Sequence, residues 1–145
     1  MRDFLVKREA RVSLMSPAEH DEMMSLILGL SHFIALVAAD TLLGAGKLHA
    51  MDAAGSSTYK VLLTLVESVL SEDPELYASI QMSLPNVSEY ETSFLEKTGE
   101  WAELVARKDR GEFAARMQAL KERLEKVSPG YRDSYEKMYR IVEGL

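Results

Sequence analysis

The sequence predicts an all-α fold, a helical bundle-like domain with one short strand at its N-terminal end. Three observations carry that expectation. Helix start signals recur along the chain, as Ser16-Pro17-Ala18-Glu19 and again as Asp73-Pro74-Glu75. Apolar residues return at helical spacing, for instance Phe113, Met117, Leu120 and Leu124. Only Ala10-Arg11-Val12-Ser13-Leu14-Met15 alternates with the period of a half-buried strand.

Taken in order, residues 1–15 stand apart from residues 16–145. Asp3 to Glu9 suits a short helix, and the strand that follows has no partner strand elsewhere in the chain. An unpaired strand leaves a row of backbone donors and acceptors open. It pairs with another copy, or its natural sheet lies outside these residues. Ser16 then opens a long helix with serine at the cap, proline at the first position and glutamate at the third, a capping box. That helix is expected to run to about Leu43 and to stop at Gly44-Ala45-Gly46. It would span roughly 40 Å at 1.5 Å per residue, more than so small a domain needs. Asp52 to Ser57 reads as a loop. Helices are expected over about Thr58 to Ser71, Asp73 to Ser83, Pro85 to Arg107, then to Val127 after a turn at Asp109-Arg110-Gly111, and over Tyr131 to Val142.

The 145 residues are enough for one domain with a sizeable core, at 47% hydrophobic and 28% charged. A net charge of −6 repels phosphate backbones and argues against nucleic acid as a partner. With no cysteine there are no disulfides, thiol nucleophiles or thiolate metal sites. No secretory leader is visible, which points to the cytoplasm. Met23 to Ala39 has no formal charge but is short of the roughly 20 residues that span a bilayer. It also holds Ser25, Ser31 and His32 and is flanked by Asp21, Glu22 and Asp40, so a buried or interfacial helix is expected and no membrane partner.

Little in the chain is overt catalytic chemistry. Gly44-Ala45-Gly46-Lys47 lacks the earlier glycine of a phosphate loop and has Leu48 where Ser or Thr is required. No Gly-x-Gly-x-x-Gly occurs, so no cofactor-binding residue is expected in this chain. His20 and His32 are about 120° apart around one helix, and no His-x-x-x-His pair exists, so no metal is expected. His32 lies inside the apolar helix with Gly29, Ala35 and Ala39 on its face. It is either a buried histidine bonded to a neighbouring backbone group or serine, or one with room beside it for a ligand. Glu67 with Glu75, and Glu89 with Glu91, read as solvated faces, and Trp101 as packing. Met15, Met23 and Met24 suit an adaptable apolar interface.

Four blocks in register carry a family resemblance. Ser16-Pro17-Ala18-Glu19-His20-Asp21-Glu22-Met23-Met24 and Leu30-Ser31-His32-Phe33 resemble the entry to the C-terminal domain of prephenate dehydrogenases. Ser56-Ser57-Thr58-Tyr59-Lys60 and Asp73-Pro74-Glu75-Leu76-Tyr77-Ala78-Ser79-Ile80 resemble that family's Ser-Ser-Pro-x-Tyr-Arg and Asp-Pro-x-Leu-Tyr-Ala-x-Ile stretches. The resemblance covers about Phe4 to Met82. It implies a helical dimerisation domain that completes a prephenate site, with NAD or NADP held by a separate Rossmann half in a full-length relative. In that family prephenate is oxidatively decarboxylated on the way to tyrosine. Residues 1–15 then resemble the last helix and strand of the nucleotide-binding half, and the chain is either an excised domain or a stand-alone homologue.

The same resemblance names candidate substrate-binding residues: His32, Tyr59, Lys60 and Ser68. His32 matches a histidine near the substrate, and Lys60 stands where many members have arginine, keeping the cation but not its bidentate fork. Glu67-Ser68-Val69 stands where the family reads Gly-Arg-Leu, and that arginine binds a prephenate carboxylate. The family's catalytic histidine belongs to the other half, so no catalytic residue is expected here and the chain alone is expected to be inactive. Two readings follow. One is a homodimerising, partial substrate domain that binds prephenate or a related small acid weakly. The other is a non-catalytic interaction or regulatory module that kept the fold and lost the site.

Overall fold

A computed structural model describes residues 14–144, and all of the regular secondary structure among them is helical. The expected N-terminal helix and most of the strand fall outside the described residues. Leu14 and Met15, at the strand's end, have no regular structure.

The first helix, α1, runs from Pro17 to Gly44 over 28 residues. Its start is the capping box expected from Ser16 and Glu19. The Glu19 amide donates to the Ser16 hydroxyl at 3.2 Å, and the Ser16 amide donates to the Glu19 carboxylate at 2.7 Å. Between Ser25 and Leu30 the helix widens to a π-helical segment. Such a segment frees carbonyls from the regular ladder, and side chains take them up. The Ser31 hydroxyl donates to Ile27 O, and the Gln81 amide donates to Gly29 O at 2.9 Å.

The inward face of α1 is a stripe of small residues. Ser25, Gly29, Ala35 and Ala39 are all buried. Small side chains let neighbouring backbones approach closely. At Gly29 a methyl group would stand 2.8 Å from a Val87 methyl, closer than carbon atoms pack. The Ser25 hydroxyl lies 2.9 Å from Asp21 O and also reaches Pro85 O, the residue before the turn into the helix that carries Val87.

A short helix α2, Leu48–Ala54, corrects the expected loop at Asp52 to Ser57. Ala53 and Ala54 are strong helix formers and extend the turn begun at Leu48, so the helix stops only at Gly55. Helix α3, Ser57–Leu70, is capped by Ser56 and packs its buried Val66 and Val69 along the second half of α1. Helix α4, Pro74–Ser83, starts on the Asp73 side chain, which accepts from the Glu75 amide at 3.0 Å, and lies against the π segment.

Helix α5, Val87–Arg107, begins two residues later than Pro85 suggested. Asn86 turns the chain through the left-handed region at φ 58°, which asparagine tolerates, so the helix cannot start before it. A turn at Lys108-Asp109 leads into α6, Arg110–Val127, whose Asp109 cap accepts from the Glu112 amide at 3.0 Å. Arg110 and Gly111, expected in the turn, are already helical. Trp101 and Phe113 meet edge to face at 5.0 Å across this hairpin. Arg116 links the two helices through Glu100 at 3.0 Å and is braced within α6 by Glu112 at 2.7 Å. A 3-10 turn, Pro129–Asp133, precedes α7, Ser134–Glu143, which packs back on α3. Fewer apolar side chains than expected are fully buried among the described residues: Ala35, Ala39, Val66, Val69, Val87 and Leu104.

Candidate functional site

His32 lies two residues past the π segment, on the side of α1 that faces α4. Its ring meets Tyr77 edge to face, with centroids 4.7 Å apart at 75°. Its Nδ1 is buried without a hydrogen-bond partner, and burial holds its pKa below the ordinary 6.5. The neutral ring is therefore the form this seam favours. One helical turn beyond Tyr77 is Gln81. Its amide nitrogen is fixed on Gly29 O, which leaves its Oε1 buried and unpartnered.

Two cavities flank α3. The first, about 320 Å³, is lined by Leu36, Val69, Leu70, Glu72, Pro74, Tyr77, Ala78, Gln81 and Met82. The second, about 260 Å³, is lined by Asp52, Lys60, Leu63, Thr64, Glu67 and Val142. Lys60, Thr64 and Glu67 recur at helical spacing and so share a face of α3. Lys60 makes no ion pair within 4 Å among the described residues, although Asp52 and Glu67 border the same cavity.

The four residues singled out from the sequence are thus distributed. His32 touches a wall residue of the first cavity, Tyr77. Lys60 lines the second. The Ser68 hydroxyl turns back onto Leu65 O at 2.8 Å, and Ser68 lines neither cavity. Tyr59 packs its ring where a side chain at Gly55 would sit, and its hydroxyl is buried without a partner. Sequence reasoning missed Gln81. Its signal is faint, a polar residue on the otherwise apolar inner side of α4. His20, the other histidine of α1, pairs with Asp21 at 3.1 Å in the exposed first turn.

The outer face of α1 is also part of the site's setting. Met23, Leu26, Ile27 and Val37 are exposed there, Ile27 by 51%. By length and composition α1 is apolar enough to cross a membrane. A second apolar surface lies on α5, a groove of about 700 Å³ lined by Phe94, Lys97, Thr98, Trp101, Ala102, Val105 and Ala106.

The domain is all-helical among the described residues and is built on one long apolar helix with small residues inward and large ones outward. Residues 16–119 match the family described as prephenate dehydrogenase, dimerization domain. Over 112 residues the chain is 30% identical to a protein of Methanocaldococcus jannaschii described as a probable arogenate/prephenate dehydrogenase. That stretch is 77% of this chain and 25% of the relative, so the chain spans about a quarter of the relative's length. No solved structure matches the chain. The chain belongs to the prephenate dehydrogenase dimerization-domain family.

The nicotinamide cofactor that the family implies does not fit these residues. The sequence holds no Gly-x-Gly-x-x-Gly, and no strand runs into a helix N-terminus among the described residues.

Proposed function

We propose that this chain is a homodimerising, cytoplasmic domain that supplies the helical share of a prephenate or arogenate site in a prephenate dehydrogenase-like enzyme. The observation that carries the dimer is the outer face of α1. Met23, Leu26, Ile27 and Val37 form one exposed apolar stripe on the longest helix. The accessible surface supports it. The chain exposes 11342 Å², against about 7,500 Å² expected for a compact monomer of 16.2 kDa. That excess leaves each chain ample surface for an obligate interface, which typically buries more than about 2,000 Å² summed over both partners. A dimer interface is favoured over a lipid-facing helix because the other side of α1 carries Ser25, His32 and the Gly29–Gln81 bond. Its flanks carry Asp21, Glu22 and Asp40. Light scattering at micromolar concentration should return twice 16.2 kDa, and a monomer mass would overturn the reading.

The substrate share of this proposal rests on His32, Tyr59, Lys60 and Ser68. A carboxylate of the substrate would meet Lys60, the NAD(P)-binding part being supplied by another domain. Glu67 and Asp52 beside Lys60 oppose a dianion, and Ser68 offers no charge. Lost charge-assisted contacts of this kind typically cost a few kcal/mol, about a hundredfold in affinity. The chain is therefore expected to bind prephenate no better than about millimolar. Glu67→Gln, which removes a carboxylate from the border of the Lys60 cavity, should tighten binding, followed by NMR at the Thr64 methyl in the same cavity. No response in that variant would refute a pocket there. The acidic border of the Lys60 cavity also favours a second reading, a non-catalytic association module that kept the fold. Tight prephenate binding by the unaltered chain would exclude it.

A further inference from the structure

Helix α6 is 18 residues long and none of its residues is buried. A helix holds in water mainly by packing an apolar face, and α6 has such a face. Phe113, Met117, Leu120, Leu124 and Val127 recur at alternating intervals of four and three residues and so share one side. That side is open, Met117 by 62% and Val127 by 81%. Within the chain, Phe113 meets Trp101, Arg116 meets Glu100, and Arg132 reaches back to Glu125. These ties hold the helix in place and leave its apolar stripe uncovered.

Charge selects what covers it. Lys121, Arg123 and Lys126 flank the stripe and make no ion pair within 4 Å among the described residues. Two copies of α6 laid together would set these cations against each other, which disfavours self-pairing. Helix α1 has the opposite character, with Glu19, Asp21, Glu22 and Asp40 and no lysine or arginine. Its outer stripe runs through Met23, Ile27 and Val37, with Leu30 and Ile34 half-buried between them. It has the same four-and-three spacing, and residues 23–37 match residues 113–127 in length. From this match we infer that α6 seats antiparallel on the outer face of α1 of a second copy of the chain. Run that way, the acidic first turn of α1 lies beside Arg123 and Lys126, and the two helix dipoles oppose. The contact recurs about a two-fold axis, so one arrangement made twice covers both apolar faces that each chain leaves open. The inference rests on the dimer reading and assigns its two surfaces.

Charge swaps on the 145-residue chain test the pairing, read as the dimer dissociation constant by sedimentation at low salt, with circular dichroism confirming helicity. One variant carries Arg123→Glu with Lys126→Glu, the other Asp21→Lys with Glu22→Lys, all at exposed positions. Each alone sets like charges together in both contacts and should weaken the dimer by about tenfold. Mixed in equal amounts, the two variants restore opposite charges in both contacts, and the heterodimer should return to within about threefold of the parent. Leu120→Glu, in the middle of the α6 stripe, should weaken the dimer at least as much as either swap. A parent chain that sediments as a monomer would overturn the dimer reading and this inference together. A parent dimer left as tight by Leu120→Glu, or by either swap, would overturn this inference alone and leave the dimer standing. So would a mixture of the swapped variants that stays as weak as its parts.

Discussion

Gly29→Ala is the sharpest test of how the α1 stripe holds the domain. A Cβ at Gly29 would lie 2.8 Å from Val87 Cγ2 and 3.2 Å from Cγ1, against an optimum of about 3.5–4.0 Å. Val87 is only 2% exposed and β-branched, so its side chain has no free rotamer to escape into. Helix α5 would have to move, and with it the Pro85 carbonyl that Ser25 reaches. Overpacking of this kind costs about 1–3 kcal/mol. Alanine regains up to about 1 kcal/mol over glycine in a helix, so the net loss should be about 1 kcal/mol. Gly99, exposed in the middle of α5 with nothing within 4 Å of its Cβ direction, is the control. There the same substitution should stabilise by about 0.5–1 kcal/mol. Urea unfolding at one fixed protein concentration measures both, since a dimer's stability depends on concentration. Val87→Ala should rescue Gly29→Ala, leaving the double variant more stable than the sum of the singles by about 1 kcal/mol. A Gly29→Ala protein as stable as its Gly99→Ala counterpart, or simple additivity with Val87→Ala, would refute the close approach.

Three further outcomes are expected. Ile27→Glu places a charge on the exposed face of α1 and should shift the light-scattering mass from dimer toward 16.2 kDa, with helicity retained. His32 has its pKa lowered by burial, so the unfolded chain takes up a proton near pH 6.5 that the folded chain refuses. Stability should therefore fall as pH drops below about 6.5, and His32→Phe should flatten that slope in urea titrations between about pH 7.5 and 5.5. Arg116→Ala should cost less than about 1 kcal/mol and lose even that at high salt, because it and its partner across the hairpin, Glu100, are both more than a third exposed. A loss of several kcal/mol would mean the α5–α6 hairpin depends on that pair.

Much of this fold is written in local signals. Ser16-Pro17 with Glu19, and Asp73-Pro74, place helix starts to the residue, because a cap is chemistry within one turn. The miss at Leu48–Ala54 has the opposite cause. Gly55-Ser56-Ser57 is a strong stop signal, but the alanines before it prefer helix, and the stop acts only from Gly55 onward. The π segment was invisible, since Ser25-Leu26-Ile27-Leu28-Gly29-Leu30 reads as ordinary helix. The contacts around it are tertiary, with Val87 against Gly29 and Gln81 on the Gly29 carbonyl. For the same reason the sequence could mark His32 but not Gln81. Lys60 and Ser68 lie eight residues apart, about 80° around α3, but that angle alone does not say which neighbour each faces. In the fold the Ser68 hydroxyl is spent on Leu65 O, while Lys60 looks toward α2 and α7.

The two sides of α1 divide its work. A helix that is apolar almost all round carries no moment to say which side faces inward, yet side-chain size does. Ser25, Gly29, Ala35 and Ala39 let α3, α4 and α5 approach closely, and close approach fixes geometry rather than burying much area. Met23, Leu26, Ile27 and Val37 carry the larger apolar area and are left outside. The single chain thus places its precision within itself and its greatest hydrophobic gain at the surface, where burial yields about 25 cal/mol per Å² only when another surface arrives. In the dimer proposed above, a domain organised this way is folded in detail and completed by association. That ordering predicts that changes on the outer face act through concentration-dependent stability, while changes on the inner face act at every concentration.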